Sequence, residues 1–335
     1  MPVLQKLLYP LSVAYGQVTE WRNQMFDRGI LSSRSYPLPV IAVGNLSAGG
    51  TGKSPMTEYL TRLLRKRYKV AVLSRGYGRG TSGFRLAGAD DDASTIGDEP
   101  FQFHLKFPDV AIAVDGNRRR GIENLRAMVR PDVIVMDDAF QHRYVKAGLY
   151  ILLTAYGDLF TDDRMLPEGN LREHPDGMQR ASIIVVTKCP AGIGIEEMER
   201  VRIKIDPKPH QKLFFSYIDY APNVTGATQK RPVAEIRAMQ KTLVAGIAKP
   251  QPFFVHLQSE GDKVLEFKDH HDFSAADIRQ IVSGPKPIVT TEKDYVRLRG
   301  KIAADDLFYL PIRQSFVAGG DRFDQAILEF CAQTP

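Results

Sequence analysis

Residues 41–55, with the sequence IAVGNLSAGGTGKSP, constrain the fold of this chain more than any other stretch. An apolar run ends there in a glycine-rich turn, after which apolar residues recur at helical spacing. Glycines let backbone N–H groups converge on phosphate oxygens, a lysine can reach the β- and γ-phosphates, and a serine hydroxyl can bind Mg²⁺. We therefore predict a nucleotide-binding loop made of Gly49, Gly50, Thr51, Gly52, Lys53 and Ser54.

This loop departs from the G-x-x-x-x-G-K-[ST] pattern at one position, because Ser47 stands where the first glycine would fall. The alternative interpretation is an ordinary glycine-rich turn capped by Ser54, which leaves the lysine in the turn unexplained. The order of strand, double glycine, glycine-lysine-serine and helix favours phosphate binding.

A second motif lies at residues 133–138, where four apolar residues end in Asp137 and Asp138. Downstream of a phosphate loop, this pattern is typical of a Walker B strand, whose carboxylate holds Mg²⁺ directly or through water. Other apolar strands are predicted at residues 69–74, 110–114, 150–154 and 183–187. Their alternation with helical segments predicts an α/β fold, a P-loop NTPase-like parallel sheet with helices on both faces and ligands at the carboxyl ends of the strands.

The net charge and the cysteine content indicate what kind of partner the protein binds and in which cellular compartment it works. The net charge of +6 and the pI near 9.1 suit an acidic partner, which could be a nucleotide, an anionic lipid or a nucleic acid. No motif interleaves aromatic and basic residues, so we do not predict nucleic-acid binding. Cys189 and Cys331 lie outside any C-x-x-C pattern, which predicts reduced thiols in a cytoplasmic protein.

The three arginines at residues 118–120 could either bind phosphate or begin a solvent-exposed helix.

Three regions are predicted along the chain, at residues 1–30, 31–210 and 211–335. In residues 1–30, leucines and Trp21 recur at helical spacing near basic side chains. The longest uncharged stretch of this region is too short to span a bilayer. This helix could lie in a membrane interface or pack on the protein's own core. The second region holds the motifs above. Turn-rich segments at residues 206–209 and 221–232 precede alternating strands and helices, which predict a smaller α/β lobe.

Two polar clusters stand out in that smaller lobe, KDHHD at residues 268–272 and TEKD at residues 291–294. On pattern alone, the histidine pair indicates a capped turn before a helix, with Asp272 and Ser274 as the caps.

Short motifs follow one another in order nearly to the end of the chain: GN at 44–45, GGTGKSP at 49–55, SRGYG at 74–78, GDEP at 97–100, DDAFQHR at 137–143, LRE at 171–173, DHH at 269–271 and TEKD at 291–294. Together they resemble the tetraacyldisaccharide 4′-kinase family of lipid A biosynthesis. Ser47 is usual for that family, and Ala139 stands where glycine is commoner.

The resemblance implies an enzyme that uses ATP and Mg²⁺. It would transfer the γ-phosphoryl group to the 4′-hydroxyl of a tetraacylated glucosamine disaccharide 1-phosphate, giving lipid IVA. Because this acceptor is a lipid, the resemblance also implies a peripheral, monomeric enzyme at the cytoplasmic face of the inner membrane. The helix in residues 1–30 would then be an interfacial anchor.

The resemblance further implies roles for individual residues. An aspartate–histidine dyad that accepts the proton of the sugar hydroxyl maps to Asp98 and His270, one in each lobe. Lys53 would supply positive charge to the transferring phosphoryl group. Arg172 is nominated for bidentate pairing with the 1-phosphate of the acceptor. The Mg²⁺ ligands would come from Ser54, Glu99, Asp137 and Asp138.

Two other classes of P-loop protein remain as alternatives. A membrane-partition ATPase switch needs a signature lysine at the position of Ala48, which argues against that class. A GTP-dependent metallochaperone needs an Asn-Lys-x-Asp element, and TKCP at residues 187–190 has the lysine but lacks the aspartate. The TEKD segment is out of register with that element.

Overall fold

The computed structural model describes the backbone of residues 3–334 and the side chains of residues 8–334. The first part of the chain forms α1 (Val3–Asp27), β1 (Val40–Asn45), α2 (Lys53–Leu64), β2 (Val70–Ser74), β3 (Arg85–Leu86), α3 (Ala93–Ile96), α4 (Asp98–Lys106), β4 (Ala111–Val114), α5 (Arg118–Met128), β5 (Val133–Met136), β6 (Leu149–Ala155), a 3₁₀ helix (Pro175–Arg180), β7 (Ile183–Thr187) and α6 (Ile195–Ile205).

The remainder forms β8 (Lys212–Tyr220), β9 (Asn223–Gly226), β10 (Lys230–Pro232), α7 (Val233–Arg237), β11 (Thr242–Ala245), α8 (Gln251–Leu257), β12 (Lys263–Glu266), α9 (Ala275–Val282), β13 (Ile288–Thr291), α10 (Glu292–Leu298), β14 (Leu307–Leu310), β15 (Ile312–Phe316) and α11 (Gly320–Gln333).

The larger sheet has nine strands in the order β15-β8-β7-β6-β1-β5-β2-β4-β3. The strands from β8 to β4 are parallel, and an antiparallel strand closes each edge. Successive side chains of a strand face opposite sides, so Ile41 and Val43 of β1 pack in one core with α2, α4 and α11, whereas Val40 and Ala42 pack in another with α5. The predicted parallel sheet with helices on both faces is confirmed.

The smaller sheet has six strands in the order β10-β9-β14-β13-β11-β12. Its four strands from β14 to β12 are parallel, and β9 and β10 are antiparallel additions. Helices α7 and α8 pack on one face, and α9 and α10 pack on the other. This sheet is the second α/β lobe that the sequence predicts.

The boundary between the two sheets does not fall at the predicted junction between residues 210 and 211. Strand β8 still belongs to the larger sheet, and the chain returns from the smaller one to add β15 and α11. Phe323, Ile327 and Cys331 of α11 are buried in the core beside β1. The local pattern of an amphipathic helix shows which face is apolar but not which sheet that face covers, so the sequence does not reveal this return.

No helix within residues 3–334 is long and apolar enough to cross a membrane. Helix α1 instead lies on the larger lobe through polar contacts. Ser12 Oγ donates to the carbonyl of Met165 at 2.8 Å, and the Tyr15 hydroxyl donates to the carbonyl of Arg172 at 3.1 Å. Asn23 donates to a carboxylate oxygen of Glu173 at 3.1 Å.

The other face of α1 is apolar and turned outward. Leu11, Val18 and Trp21 are 59%, 64% and 66% exposed, while Phe26, near the end of the helix, is buried. The helix therefore packs on its own protein and also presents an unpaired apolar surface, so it combines features of both predicted alternatives. Both cysteines are buried and free, as expected.

Candidate active site

The glycine-rich loop joins the carboxyl end of β1 to the start of α2, as predicted. Gly49 and Gly52 have φ angles of 129° and 87°, a region that glycine reaches without strain. The loop is fixed at its far end, since Thr187 Oγ1 donates to the carbonyl of Thr51 at 2.7 Å. Among the described side chains, none caps the start of α2, so its first amides are open to an anion.

Lys53 begins α2 and points back over the loop. Its ammonium lies 3.3 Å from Asn45 Oδ1 and 3.6 Å from a carboxylate oxygen of Asp138, and the side chain is 14% exposed. Arg172 donates to the same carboxylate at 2.9 Å and also contacts the Asn45 side chain. The two cations therefore flank one carboxylate beside the loop. Arg172, nominated for the acceptor's 1-phosphate, lies next to Lys53 and pairs with Asp138.

The two aspartates after β5 have different environments. Burial acts to raise the pKa of Asp138, but the charges of Lys53 and Arg172 outweigh it and hold that pKa below its ordinary value. Asp137 is fully enclosed, and burial together with the charges of Glu99 and Asp138 raises its pKa to about 7. One of its oxygens accepts from Thr57 Oγ1 at 2.9 Å, and the other has no partner.

Glu99 and Ser54 join the loop to helix α4. Ser54 Oγ donates to a Glu99 oxygen at 2.8 Å, and Lys293 of α10 donates to the same oxygen at 2.9 Å. Burial acts to raise the pKa of Glu99, but the charge and hydrogen bond of Lys293, with the Ser54 hydrogen bond, hold that pKa below its ordinary value.

These residues fit a Mg²⁺ ion that arrives with a nucleotide. Within the described part of the chain, no group of three or more His, Cys, Asp or Glu side chains is arranged as a metal site. Mg²⁺ is usually held by one or two carboxylates together with phosphates and water, so a ready-made protein cage is not needed. The unpaired buried oxygen of Asp137 is the feature of this site that a cation would satisfy.

Asp98 and His270 come together across the two lobes. Asp98 is the first residue of α4, and His270 follows β12 in the smaller lobe with a φ of 56°. A carboxylate oxygen of Asp98 lies 3.4 Å from His270 Nδ1. The predicted pair is therefore adjacent in the structure, although its catalytic role stays a prediction.

Arg297 of α10 lies against both members of this pair, and the sequence analysis missed it. Its Nε donates to the Asp98 carboxylate at 3.0 Å, and its Nη2 is 2.8 Å from His270 Nδ1. A guanidinium can only donate, so Nδ1 accepts in this contact and the neutral ring carries its proton on Nε2. Arg297 thereby fixes both the position of the carboxylate and the tautomer of the imidazole.

The spacing of charges along α10 is consistent with the role of Arg297 but does not identify it without the structure. Lys293 and Arg297 are four residues apart in α10, hence on one face, and they pair with the consecutive acids Glu99 and Asp98 of α4. The TEKD motif pointed to the first of these cations only. Recognising the second required knowing that α10 packs on α4.

We expect Arg297→Gln to lower kcat by about tenfold to a hundredfold, a part of the ~10²–10⁴ that a positioned base contributes. The KM for ATP should change little, because Arg297 contacts the proposed base and not the phosphate loop. Arg297→Lys should recover only part of the loss, since an ammonium cannot contact both partners as a fork does. Steady-state kinetics measure this, with the exposed neighbour Arg299→Gln as the control. Equal losses for both glutamine variants would contradict the positioning role.

The fold and the loop together define a nucleotide-dependent enzyme of the P-loop class. A sequence model of the tetraacyldisaccharide-1-P 4′-kinase family matches residues 4–332. The chain therefore belongs to this family, which confirms the resemblance that its motifs indicate.

Individual relatives agree with the family match. The tetraacyldisaccharide 4′-kinase of Flavobacterium johnsoniae is 52% identical over 333 residues, covering 98% of each chain. That of Bacteroides thetaiotaomicron is 44% identical, covering 98% of this chain and 93% of its own. Among solved structures, the "apo" form of LpxK from Aquifex aeolicus in complex with ATP matches with a TM-score of 0.80 and 27% identity, over 98% of this chain and 100% of that one.

Proposed function

We propose that this chain transfers the γ-phosphoryl group of ATP to the 4′-hydroxyl of a tetraacylated disaccharide 1-phosphate, the reaction named by its family. The observation that supports this most is the 2.8 Å hydrogen bond from Ser54 to Glu99. This hydrogen bond joins the phosphate loop to Glu99, which directly follows Asp98 in the chain. A nucleotide bound by the loop would therefore lie close to the proposed proton acceptor.

In this proposal the nucleotide is held by the loop amides and by Lys53, with Arg172 close to the transferring group. Phosphoryl transfer requires chiefly positioning and positive charge around the equatorial oxygens, and these two cations supply such charge. Ser54, Asp137 and Asp138 would hold Mg²⁺, with Glu99 orienting the Ser54 hydroxyl. When bound, Mg²⁺ neutralises charge that develops on the phosphate oxygens.

The acceptor hydroxyl must lose its proton as the new P–O bond forms, and we assign this proton to Asp98. Arg297 holds the Asp98 carboxylate from the side of the smaller lobe, and His270 lies beside that carboxylate at 3.4 Å. In this proposal the smaller lobe therefore completes the site. Since both halves of the site come from one chain, a monomer suffices.

The direct test is to incubate the purified protein with ATP, Mg²⁺ and detergent-dispersed tetraacyldisaccharide 1-phosphate. Mass spectrometry should show a product heavier by one phosphate. ATP should serve much better than GTP, because the GTP-specific element is incomplete at residues 187–190. Nucleotide hydrolysis that does not depend on the disaccharide would instead favour an ATPase switch.

We also propose that the outward face of α1 anchors the enzyme at the cytoplasmic face of the inner membrane. Leu11, Val18 and Trp21 form an exposed apolar stripe, and Arg22 and Arg28 lie nearby to meet anionic headgroups. An acylated acceptor has to be taken from a bilayer, so a peripheral position suits the proposed reaction.

The triple variant Leu11→Ser, Val18→Ser, Trp21→Ser should bind anionic vesicles at least about tenfold more weakly, since burial of each such side chain contributes on the order of 1 kcal/mol or more. These side chains face away from the lobe, so the polar contacts of α1 should survive, and activity on detergent-dispersed acceptor should remain. Vesicle sedimentation measures the binding.

The matched control for this variant replaces three exposed apolar side chains far from α1 by serine: Ile195, Ile203 and Val255, which are 82%, 66% and 78% exposed. This control should leave vesicle binding unchanged. If both triple variants partition like the unaltered protein, the stripe on α1 is not an anchor.

A further inference from the structure

A set of polar side chains joins α2 to α10 through α4, away from the phosphate loop itself. The set consists of Glu58 of α2, Gln102 and Lys106 of α4, and Glu292 of α10, and we call it the interlobe clamp. The side chains of Glu58 and Glu292 are both buried. Because Glu58 follows Ser54 by four residues on α2, the clamp lies one helical turn from the phosphate loop.

The two carboxylates of the interlobe clamp share the same two donors. Lys106 Nζ lies 2.6 Å from one oxygen of Glu58 and 2.5 Å from one oxygen of Glu292. Gln102 Nε2 donates to the remaining oxygen of each carboxylate, at 2.8 Å to Glu58 and at 3.0 Å to Glu292. All four carboxylate oxygens are therefore hydrogen-bonded, as buried charges require. One lysine and one amide of α4 thus bind α2 and α10 at the same point.

The charge balance of the clamp brings protonation of Glu292 close to neutral pH. Lys106 is shared by both carboxylates, and Arg62 pairs with Glu58, at 2.6 Å. Burial, together with the charge of Glu58, raises the pKa of Glu292 to about 7, while the charges of Lys106 and Arg62 oppose that rise. A neutral side chain of the same size should therefore be tolerated at this position.

The hydrogen bonds of the clamp determine how α10 lies along α4. The apolar contact there involves Val296 of α10, which packs with Ile96, Phe101 and Val114 of the larger lobe. Apolar contacts have no direction, so they allow a helix to slide or turn, whereas paired hydrogen bonds fix its position. The smaller lobe therefore depends on polar contacts for its alignment with the active site.

The alignment of α10 matters because two cations near the active site follow Glu292 on the same helix. Lys293 is the next residue and donates to Glu99 at 2.9 Å. Arg297 lies one turn further along and donates to Asp98 at 3.0 Å. The reaction proposed above involves the partners of both cations but gives no role to Glu292, although Glu292 belongs to the TEKD motif.

We propose that Glu292 is a positioning residue of the phosphoryl-transfer reaction, and this inference rests on the proposed function. Through Lys106 and Gln102, Glu292 holds the start of α10 at a fixed place on α4, which brings Arg297 to the Asp98 carboxylate. The same two residues of α4 also bind α2, so the smaller lobe is aligned on the helix that begins in the phosphate loop. The side chain of Glu292 bonds to the clamp, so its effect on the reaction is indirect.

Glu292→Ala should lower kcat about tenfold, within the loss expected for Arg297→Gln, because it acts through Arg297. The KM for ATP should change less than kcat. Glu292→Gln should recover most of the loss, because glutamine keeps the size of the side chain and an oxygen for Lys106. Steady-state kinetics with detergent-dispersed acceptor measure both variants. Glu260→Ala is the matched control, since it removes an equal charge from an exposed residue of the same lobe. A kcat for Glu292→Ala equal to that of the control overturns the proposal.

A double variant distinguishes positioning from a general loss of stability. If Glu292 acts by placing Arg297, the loss in kcat for Glu292→Ala combined with Arg297→Gln should be smaller than the product of the two single losses. Losses that multiply would show that the two residues act independently, which overturns the proposal. If Glu292→Ala does not fold, Gln102→Leu takes its place in this comparison, because it removes one bridge of the clamp without removing a charge.

Hydrogen exchange of the protein without substrates separates this inference from the proposed function. Glu292→Ala should speed exchange of the α10 amides, residues 292–298, about tenfold, as expected for the loss of one charge-assisted hydrogen bond. Glu292→Gln and Glu260→Ala should change it much less. Unchanged exchange in Glu292→Ala overturns this inference whether or not the protein is a kinase. If exchange rises but the unaltered protein transfers no phosphoryl group, the proposed function fails while the hold of Glu292 on α10 is supported.

Discussion

Lys53→Ala is expected to lower kcat by about a thousandfold, the upper range for removal of one donor that stabilises a developing negative charge. The lysine is held over the phosphate loop between Asn45 and Asp138, so its ammonium is already positioned before a nucleotide binds. Asp138 keeps Arg172 as a partner in this variant, so the fold should survive. Steady-state turnover at saturating ATP and acceptor is the measurement.

Lys66→Ala is the control for this variant, because Lys66 is exposed just beyond the end of α2 and carries the same charge. It should have near-normal turnover, and both variants should unfold at similar temperatures. A Lys53→Ala protein with near-normal kcat would contradict the interpretation of residues 49–54 as the phosphate loop.

Asp98→Asn and His270→Ala are each expected to lower kcat by about 10²–10⁴, the range for loss of a positioned general base. Asparagine keeps an acceptor for Arg297 and removes only the charge that would take the proton, so the contact between α4 and α10 should persist. The KM for ATP should change much less than kcat, because the pair acts on the acceptor hydroxyl in the transition state.

The double variant distinguishes a dyad from two independent residues. If Asp98 and His270 act as one unit, its loss should be smaller than the product of the two single losses. His271→Ala is a matched control, since His271 pairs with Asp277 at 3.0 Å and stacks on Phe267. Losses that simply multiply would contradict the dyad while leaving the kinase assignment intact.

Motifs whose residues lie close together along the chain could be predicted from the sequence. Strand, glycine loop and helix are consecutive in the chain, so their order fixes where Lys53 and Ser54 point. Asp137 and Asp138 could be predicted because a carboxyl end of a parallel strand lies near the loop of its neighbour, and β5 does pair with β1. For these residues, the spacing along the chain is sufficient to predict that they lie at one site.

Features that depend on the packing of distant segments could not be predicted. Arg297 acts through the contact of α10 with α4, which brings it to an acid 199 positions away in the chain.

The central claim is that one site in this chain moves the γ-phosphoryl group of ATP to the 4′-hydroxyl of the disaccharide. The most direct measurement is a reaction with ATP labelled in its γ-phosphoryl oxygens, followed by nuclear magnetic resonance of the purified lipid product. We expect the labelled phosphoryl group to be bonded to the 4′ oxygen, with the 1-phosphate unlabelled. Label recovered only as inorganic phosphate, or at another hydroxyl, would contradict it.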